Sequence, residues 1–288
     1  MNFARYIELL KLRIGVLLAI TAMAGYFAVA ETVQWGPLIV MVVALMLCSS
    51  GSSVFNHFYD RDIDKKMTRT SKRPLASGAM KDPNNALWLA GGLLISGCIL
   101  AAVELNWLVA LHLALGAFTY MIVYTVWLKR RHWMNIVIGG AAGSFPVLAG
   151  AAAADPTAFT LPMLMAITLF LWTPSHFWAL AMMIKDDYAE AGVPMLPVMV
   201  GDAKCARYMM FNTVLLVVSA ALPVAFGALG MIYFVISTGL GSRFIWLNWK
   251  LVQEPTKAWA RKIFFFSMSY LAAVFVAIVL DRNITLPF

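Results

Sequence analysis

A chain of 288 residues in which 62% are hydrophobic and only 12% charged, with a mean hydropathy of +0.80, cannot hide its apolar surface in a water-soluble fold, where about a quarter of residues carry charge. Long uninterrupted apolar runs near the ~20 residues of a spanning helix point to a helical bundle rather than a closed barrel. The net charge of +8 would suggest a nucleic-acid partner in a soluble protein, but its placement along this chain excludes that reading.

The apolar runs cover residues 14–30, 37–55, 86–103, 108–128, 136–154, 161–184, 209–226, 229–249 and 263–280. They predict an all-α membrane protein, a single integral domain over 1–288 with about nine transmembrane helices. No cleavage pattern stands out from the Ala/Gly background of the first run, which therefore reads as a span. Only Gly227 and Ala228 separate the seventh and eighth runs, predicting a tight helical hairpin or one long interrupted element. Cys48, Cys98 and Cys205 are far apart in sequence and suggest neither a disulfide framework nor a zinc site.

Threading from a cytoplasmic N-terminus gathers Arg5, Lys11, Arg13 and the connections 56–85, 129–134, 185–208 and 250–262 on one side, with nearly every Lys and Arg. Glu31, Glu104, Asp155 and Asp281 mark the other side. The positive-inside rule then sets the N-terminus in the cytoplasm and the C-terminus outside. The two longest connections, 56–85 and 185–208, both fall on the basic side, and function is expected where chain length is spent.

The end of the second run carries Asn56, Asp60 and Asp64, spaced i, i+4, i+8, which stacks three oxygen-bearing side chains on one face of a helix leaving the membrane. Stacked carboxylates repel unless a hard cation lies between them, and Mg²⁺ is typically held by one or two carboxylates plus substrate phosphate oxygens. A solvated acidic helix end is the alternative. Arg69, Lys72 and Arg73 follow directly, and Arg grips phosphate oxygens bidentately. Positive-inside charge accounts equally for these cations, though not for the Asn/Asp spacing.

Lys129, Arg130 and Arg131 close the fourth run; they read as anchors, with Lys129 placed to reach a phosphate. The small residues from Gly139 to Ser144 allow close helix packing or leave room for a lipid-like chain. In the sixth run, Trp172, Thr173, Pro174, Ser175, His176 and Phe177 place a helix-kinking proline beside an ionisable intramembrane residue. His176 is either functional or a helix–helix hydrogen bond. His57, His112 and His132 could each ligate a haem iron, but a lone His does not identify a ligand.

The connection after the sixth run repeats the acidic theme with Lys185, Asp186, Asp187, Tyr188 and Glu190. Two acidic clusters at the same end of separate helices could face each other across a bundle and hold metal ions with a diphosphate between them. A plain hydrophilic loop is the other reading.

Together these residues resemble the UbiA-type intramembrane prenyltransferases, whose first motif, N-x-x-x-D-x-x-x-D, is met by Asn56, Asp60 and Asp64. Within that superfamily, residues 56–74, 172–177 and 185–198 are similar to the haem O synthase (protohaem IX farnesyltransferase) branch. The likeness extends over most of the chain. The second motif departs from the D-x-x-x-D of many members: Asp186 and Asp187 are adjacent, which leaves open which acid binds metal.

The resemblance implies farnesyl diphosphate as donor, haem b as acceptor and substrate, and Mg²⁺ as the divalent cation. It further implies a bacterial inner (cytoplasmic) membrane, with the active site on its cytoplasmic side, and a downstream haem-modifying enzyme or haem-copper oxidase as a further partner. On this reading Asn56, Asp60, Asp64, Asp186 and Asp187 are the catalytic metal ligands. Arg69, Lys72, Arg73, Lys129 and Lys185 bind diphosphate, and Tyr59, Tyr124, Trp172, His176 and Tyr188 line the pocket for the acceptor and the allylic cation.

A quinone-precursor acceptor is a second reading within the same chemistry. A transporter is a different class, but the chain has no convincing internal repeat and its acids gather at the inner edge rather than the midplane. A non-catalytic oxidase assembly factor would need no Asn/Asp constellation.

Overall fold

The computed structural model describes residues 3–80 and 82–283, and among them every regular element is helical. The first apolar run lies in α2 (Leu12–Val29), which is preceded by α1 (Phe3–Leu10) and joined to it at Lys11, whose backbone is left-handed (φ 46°, ψ 48°). A side chain with a Cβ adopts that conformation at a cost of about 1–2 kcal/mol, so tertiary contacts must hold it. Helix α3 (Trp35–Tyr59) ends at Asp60, and the short α4 (Arg61–Asp64) continues beyond it. Next come α5 (Asn84–Glu104) and α6 (Trp107–Phe118).

Helix α6 does not run on as an α-helix. Thr119–Leu128 is a π-helix, a form that is rare beyond single turns and often found at functional sites. The fifth run is also broken, into α7 (Asn135–Gly139), a 3₁₀ turn (Gly140–Gly143) and α8 (Phe145–Ala154). Helix α9 (Thr160–Met183) contains Pro174 in its interior, and the short α10 (Lys185–Glu190) and α11 (Leu196–Val200) occupy the second long connection. The chain finishes with α12 (Asp202–Ala225), α13 (Met231–Gln253) and α14 (Lys257–Asn283). The expected hairpin is a turn between α12 and α13 in which Gly227 supplies the left-handed residue (φ 67°).

Among the described residues, eight helical segments are long and apolar enough to cross a membrane: Arg5–Val29, Trp35–Tyr59, Asn84–Glu104, Trp107–Leu128, Asn135–Ala154, Thr160–Met183, Asp202–Ala225 and Lys257–Arg282. The remaining expected run is α13, which has the length, 23 residues, but includes Arg243, Asn248 and Lys250, and these lower its apolarity. Trp35, Trp88 and Trp107 are exposed near helix ends, where amphipathic rings anchor a bundle at the headgroup level.

Helix α2 packs on α8 and α3 on α5, while α9, α12, α13 and α14 form a second group; contacts of α2 with α9 and α14 join the two. Small residues let the backbones touch. A Cβ on Gly150 would overlap the Ala22 carbonyl oxygen, and one on Gly25 would overlap that of Val147. Where lipid is as apolar as the helices, such close van der Waals approach replaces the hydrophobic effect as the packing force. The polar side chains buried near the end of α3 are left clustered at one end of the bundle.

Candidate active site

Across the join between α3 and α4 the helical hydrogen bonds persist, with the Asp60 amide donating to the Asn56 carbonyl (2.9 Å) and the Asp64 amide to that of Asp60 (2.8 Å). The i, i+4, i+8 register of the sequence is thereby retained. Asn56, Asp60 and Asp64 are all buried, Asp60 completely. Asn56 Nδ2 donates to Asp60 Oδ2 (2.7 Å) and to Thr125 Oγ1 (3.2 Å), while its Oδ1 accepts from Lys11 Nζ (3.1 Å).

Buried carboxylates require compensation, and three cations from two parts of the chain supply it. Lys129 Nζ bonds Asp60 Oδ2, Arg130 Nη2 lies 3.4 Å from Asp60 Oδ1, and Arg73 Nη1 lies 2.7 Å from Asp64 Oδ2. Arg130 also grips Asp62 with two bonds of 2.7 Å, donates to the Tyr59 carbonyl (2.7 Å) and stacks on the Tyr59 ring at 4.8 Å. These bonds to Arg130 hold the Asp62 carboxyl below its ordinary range, and Asp62 in turn raises the guanidinium.

The π-helix explains how the fourth run reaches this cluster. Its wider turn gives Lys129 a backbone bond to Tyr124, five residues back (2.8 Å), and Thr125 Oγ1 a bond to the Tyr120 carbonyl (2.8 Å). Thr125 and Lys129 both reach the Asn56–Asp60 pair, and Tyr120 and Tyr124 stack with ring centroids 5.8 Å apart. Lys11 and Arg130, which spacing in the sequence does not single out, belong to the same cluster. His57 is buried beside it, with both ring nitrogens enclosed and unpaired among the described residues.

Among the described residues, one side-chain hydrogen bond joins the second acidic segment to the connection that carries the first, Thr68 Oγ1 to Asp187 Oδ1 (3.2 Å). Asp186 instead faces Lys257 (3.0 Å) on α14, with a mostly exposed side chain, and Lys185 pairs with Asp202 (3.0 Å). Arg69 and Lys72 are exposed on the connection above the cluster, and Tyr188 is buried in the core. Farther along α9, His176 lies between the rings of Trp172 (4.3 Å) and Phe264 (4.5 Å). Its Nδ1 is 2.7 Å from Ser267 Oγ, and Trp172 Nε1 donates to the Ser267 carbonyl (2.8 Å). Helix α14 thus fixes this aromatic group.

The donor set suits a hard divalent cation. Among the described residues no three His, Cys, Asp or Glu side chains converge on one point, as a complete protein cage would require. Mg²⁺ shared with a substrate needs only one or two carboxylates, the rest of its shell coming from phosphate oxygens and water. The buried oxygens of Asp60, Asp64 and Asn56 offer this, and their present Lys and Arg partners are of the kind that bind phosphate.

The sequence profile of the UbiA prenyltransferase family matches residues 17–270. Protoheme IX farnesyltransferase 1 of Paramagnetospirillum magneticum is 51% identical over 98% of this chain and 100% of its own length. Protoheme IX farnesyltransferase 1 of Cenarchaeum symbiosum is 42% identical over 100% of this chain and 99% of its own. Among solved structures, a digeranylgeranylglyceryl phosphate synthase superposes with a TM-score of 0.82 at 21% identity, covering 97% of this chain and 98% of the other. A UbiA homologue from Archaeoglobus fulgidus bound to DMAPP and Mg²⁺ has a TM-score of 0.72 at 17% identity, covering 95% of this chain and 99% of its own.

Proposed function

Because the chain belongs to the UbiA prenyltransferase family, we propose that it transfers a farnesyl group from farnesyl diphosphate to a vinyl group of haem b, making haem O for haem-copper oxidases, at the cytoplasmic face of a bacterial inner membrane. The near full-length identity to protoheme IX farnesyltransferases supports this acceptor. The observation that carries the chemistry is the buried Asn56–Asp60–Asp64 ladder surrounded by Lys11, Arg73, Lys129 and Arg130.

On donor binding, Lys129 and Arg73 exchange carboxylate oxygens for phosphate oxygens; Asp60 and Asp64 would then hold Mg²⁺, with Asn56 and Asp187 as further oxygen donors. Bound there, Mg²⁺ supplies Lewis acidity toward the diphosphate. When the bond from farnesyl C1 to the diphosphate oxygen breaks, its electron pair leaves with the oxygen. Arg73, Lys129 and Arg130 stabilise negative charge that grows mainly in the transition state, which is the condition for raising the rate. The stacked Tyr120 and Tyr124 rings lie on the same π-helix as Thr125 and shelter the allylic cation by their π faces. The vinyl π electrons bond to C1, and water adds to the resulting cation and loses a proton, leaving a hydroxyethylfarnesyl group. Trp172 and His176 belong to the acceptor side of the pocket. Tyr59, engaged by Arg130, orients that guanidinium rather than meeting the cation itself.

Incubating the purified protein in liposomes with haem b, farnesyl diphosphate and Mg²⁺ tests the reading by mass spectrometry of the haem. Farnesylated haem is expected, with a loss of at least ~100-fold in EDTA or in Asp60→Ala, the scale of removing one charge-stabilising group. Unmodified haem alongside a prenylated quinone precursor would overturn the acceptor and keep the family chemistry.

A further inference from the structure

Two of the three cysteines, fifty residues apart in sequence, meet inside the membrane-spanning part of the bundle. Cys48 Sγ on α3 and Cys98 Sγ on α5 are 3.8 Å apart, with Cys48 Sγ also 3.7 Å from the Leu94 carbonyl oxygen. The backbones behind them are unusually close. A Cβ on Gly97 would meet Cys48 Sγ at 2.6 Å and the Ala44 carbonyl at 2.7 Å, and one on Gly51 would meet the Ala90 carbonyl at 2.7 Å. Helices in such backbone contact bring facing residues into the range of Cα separations, about 4.4–6.8 Å, that a disulfide spans.

Cys98 also lines a cleft of about 170 Å³ together with Leu94, Ala114, Phe118, Met121 and Ile122. Ala114 and Phe118 are exposed, so the cleft opens on the outer surface of the bundle at membrane depth. Its lining is almost wholly apolar. It therefore admits an apolar solute from lipid and excludes a charged one. Cys48 is buried behind Cys98.

We propose that Cys48 and Cys98 form an oxidisable dithiol that an apolar organic hydroperoxide, of the class formed in oxidised lipid, converts to a disulfide between α3 and α5. The Cys98 sulfur attacks the terminal peroxide oxygen, the O–O bond breaks, and the thiol proton leaves with the alkoxide as an alcohol. Cys98 is then a sulfenic acid. The Cys48 sulfur attacks it, the S–S bond forms, and hydroxide departs with the Cys48 proton as water. The hydroperoxide is reduced by two electrons and the thiol pair is oxidised by two, a sequence that sulfenic acids beside a second thiol follow generally.

The test treats the full-length protein in liposomes with cumene hydroperoxide, and in a parallel sample with a membrane-impermeant charged oxidant. Remaining thiols are then alkylated under denaturing conditions and the intact mass measured. The wild type is expected to lose two alkylatable thiols, regained with dithiothreitol, with Cys205 still alkylated. A peptide linking residues 48 and 98 should appear, and the charged oxidant should act far more slowly. Cys48→Ser should stop at a one-oxygen adduct on Cys98, and Cys98→Ser should leave Cys48 free. A wild type that keeps all three thiols, or gains oxygen on Cys98 without losing Cys48, overturns the proposal. A thermal melt of each variant matching the wild type rules out misfolding as the cause.

Discussion

Thr125 illustrates how much the site depends on single hydrogen-bonding atoms. Its hydroxyl accepts from Asn56 Nδ2 and donates to the Tyr120 carbonyl, so Thr125→Val leaves a buried amide short of one acceptor at nearly constant shape. Such a loss costs about 1–3 kcal/mol. Unfolding in detergent should shift by that amount, the KM for farnesyl diphosphate should rise, and Thr125→Ser should restore both. Asp62 behaves differently because it is partly exposed. Its carboxyl is held below the ordinary value by Arg130, so the pair stabilises the fold above the unfolded-state pKa near ~4 and stops doing so as pH falls through the lower folded value. Asp62→Asn should lower Tm slightly at pH 7, within the ~0–1 kcal/mol of exposed ion pairs, and the difference should vanish at strongly acidic pH. A difference that grows on acidification would contradict the Arg130 assignment. At this scale the sequence makes Asn56, Asp60 and Asp64 legible, since helical spacing alone aligns them. It conceals Lys11 and Arg130, whose contacts depend on a left-handed residue and a π-helix that no pattern of apolar residues encodes.

At the level of elements, spans were legible and their interruptions were not. Hydropathy locates the runs 108–128 and 136–154, yet the first changes from α to π at Thr119 and the second passes through a 3₁₀ turn at Gly140–Gly143. The glycines where the fifth run changes helix type sit tightly against their neighbours: a Cβ on Gly140 would meet Thr173 Cγ2 at 2.8 Å, and one on Gly139, just before the turn, would meet Tyr124 Cδ2 on the π-helix at 2.6 Å. A run of apolar residues reports only that a segment is buried or in lipid, because helix type depends on what packs against it. The α2–α8 contact makes the same point. Gly150 touches the Ala22 backbone with no space between, so a side chain there must separate two helices along their length. Overpacking of this kind costs about 1–3 kcal/mol or more. Gly150→Leu should therefore destabilise the folded protein in a detergent melt, whereas Gly91→Leu, where nothing lies within 4 Å of the added Cβ, should leave the melt unchanged.

For the molecule as a whole, the cations of the site and the cations of topology are the same residues. Lys11, Arg73, Lys129 and Arg130 all belong to the segments that the positive-inside rule assigns to the cytoplasm, and each bonds the Asn56, Asp60 or Asp64 side chain. A diphosphate donor carries charge that cannot cross hydrocarbon cheaply, while a farnesyl chain and a porphyrin can enter from lipid. Under the proposed orientation, insertion with the basic end inward would deliver the site to the compartment in which the charged substrate is dissolved. Single-cysteine variants decide the orientation. In a background with Cys48, Cys98 and Cys205 replaced by Ala, Lys72→Cys, at an exposed position by the site, should react with an impermeant maleimide only in inside-out vesicles. Thr157→Cys, exposed at the opposite end between α8 and α9, should react only in right-side-out ones. The reverse pattern would place the cationic cluster on the side away from the cytoplasm, and a cytoplasmic pool of prenyl diphosphate could not then supply the donor.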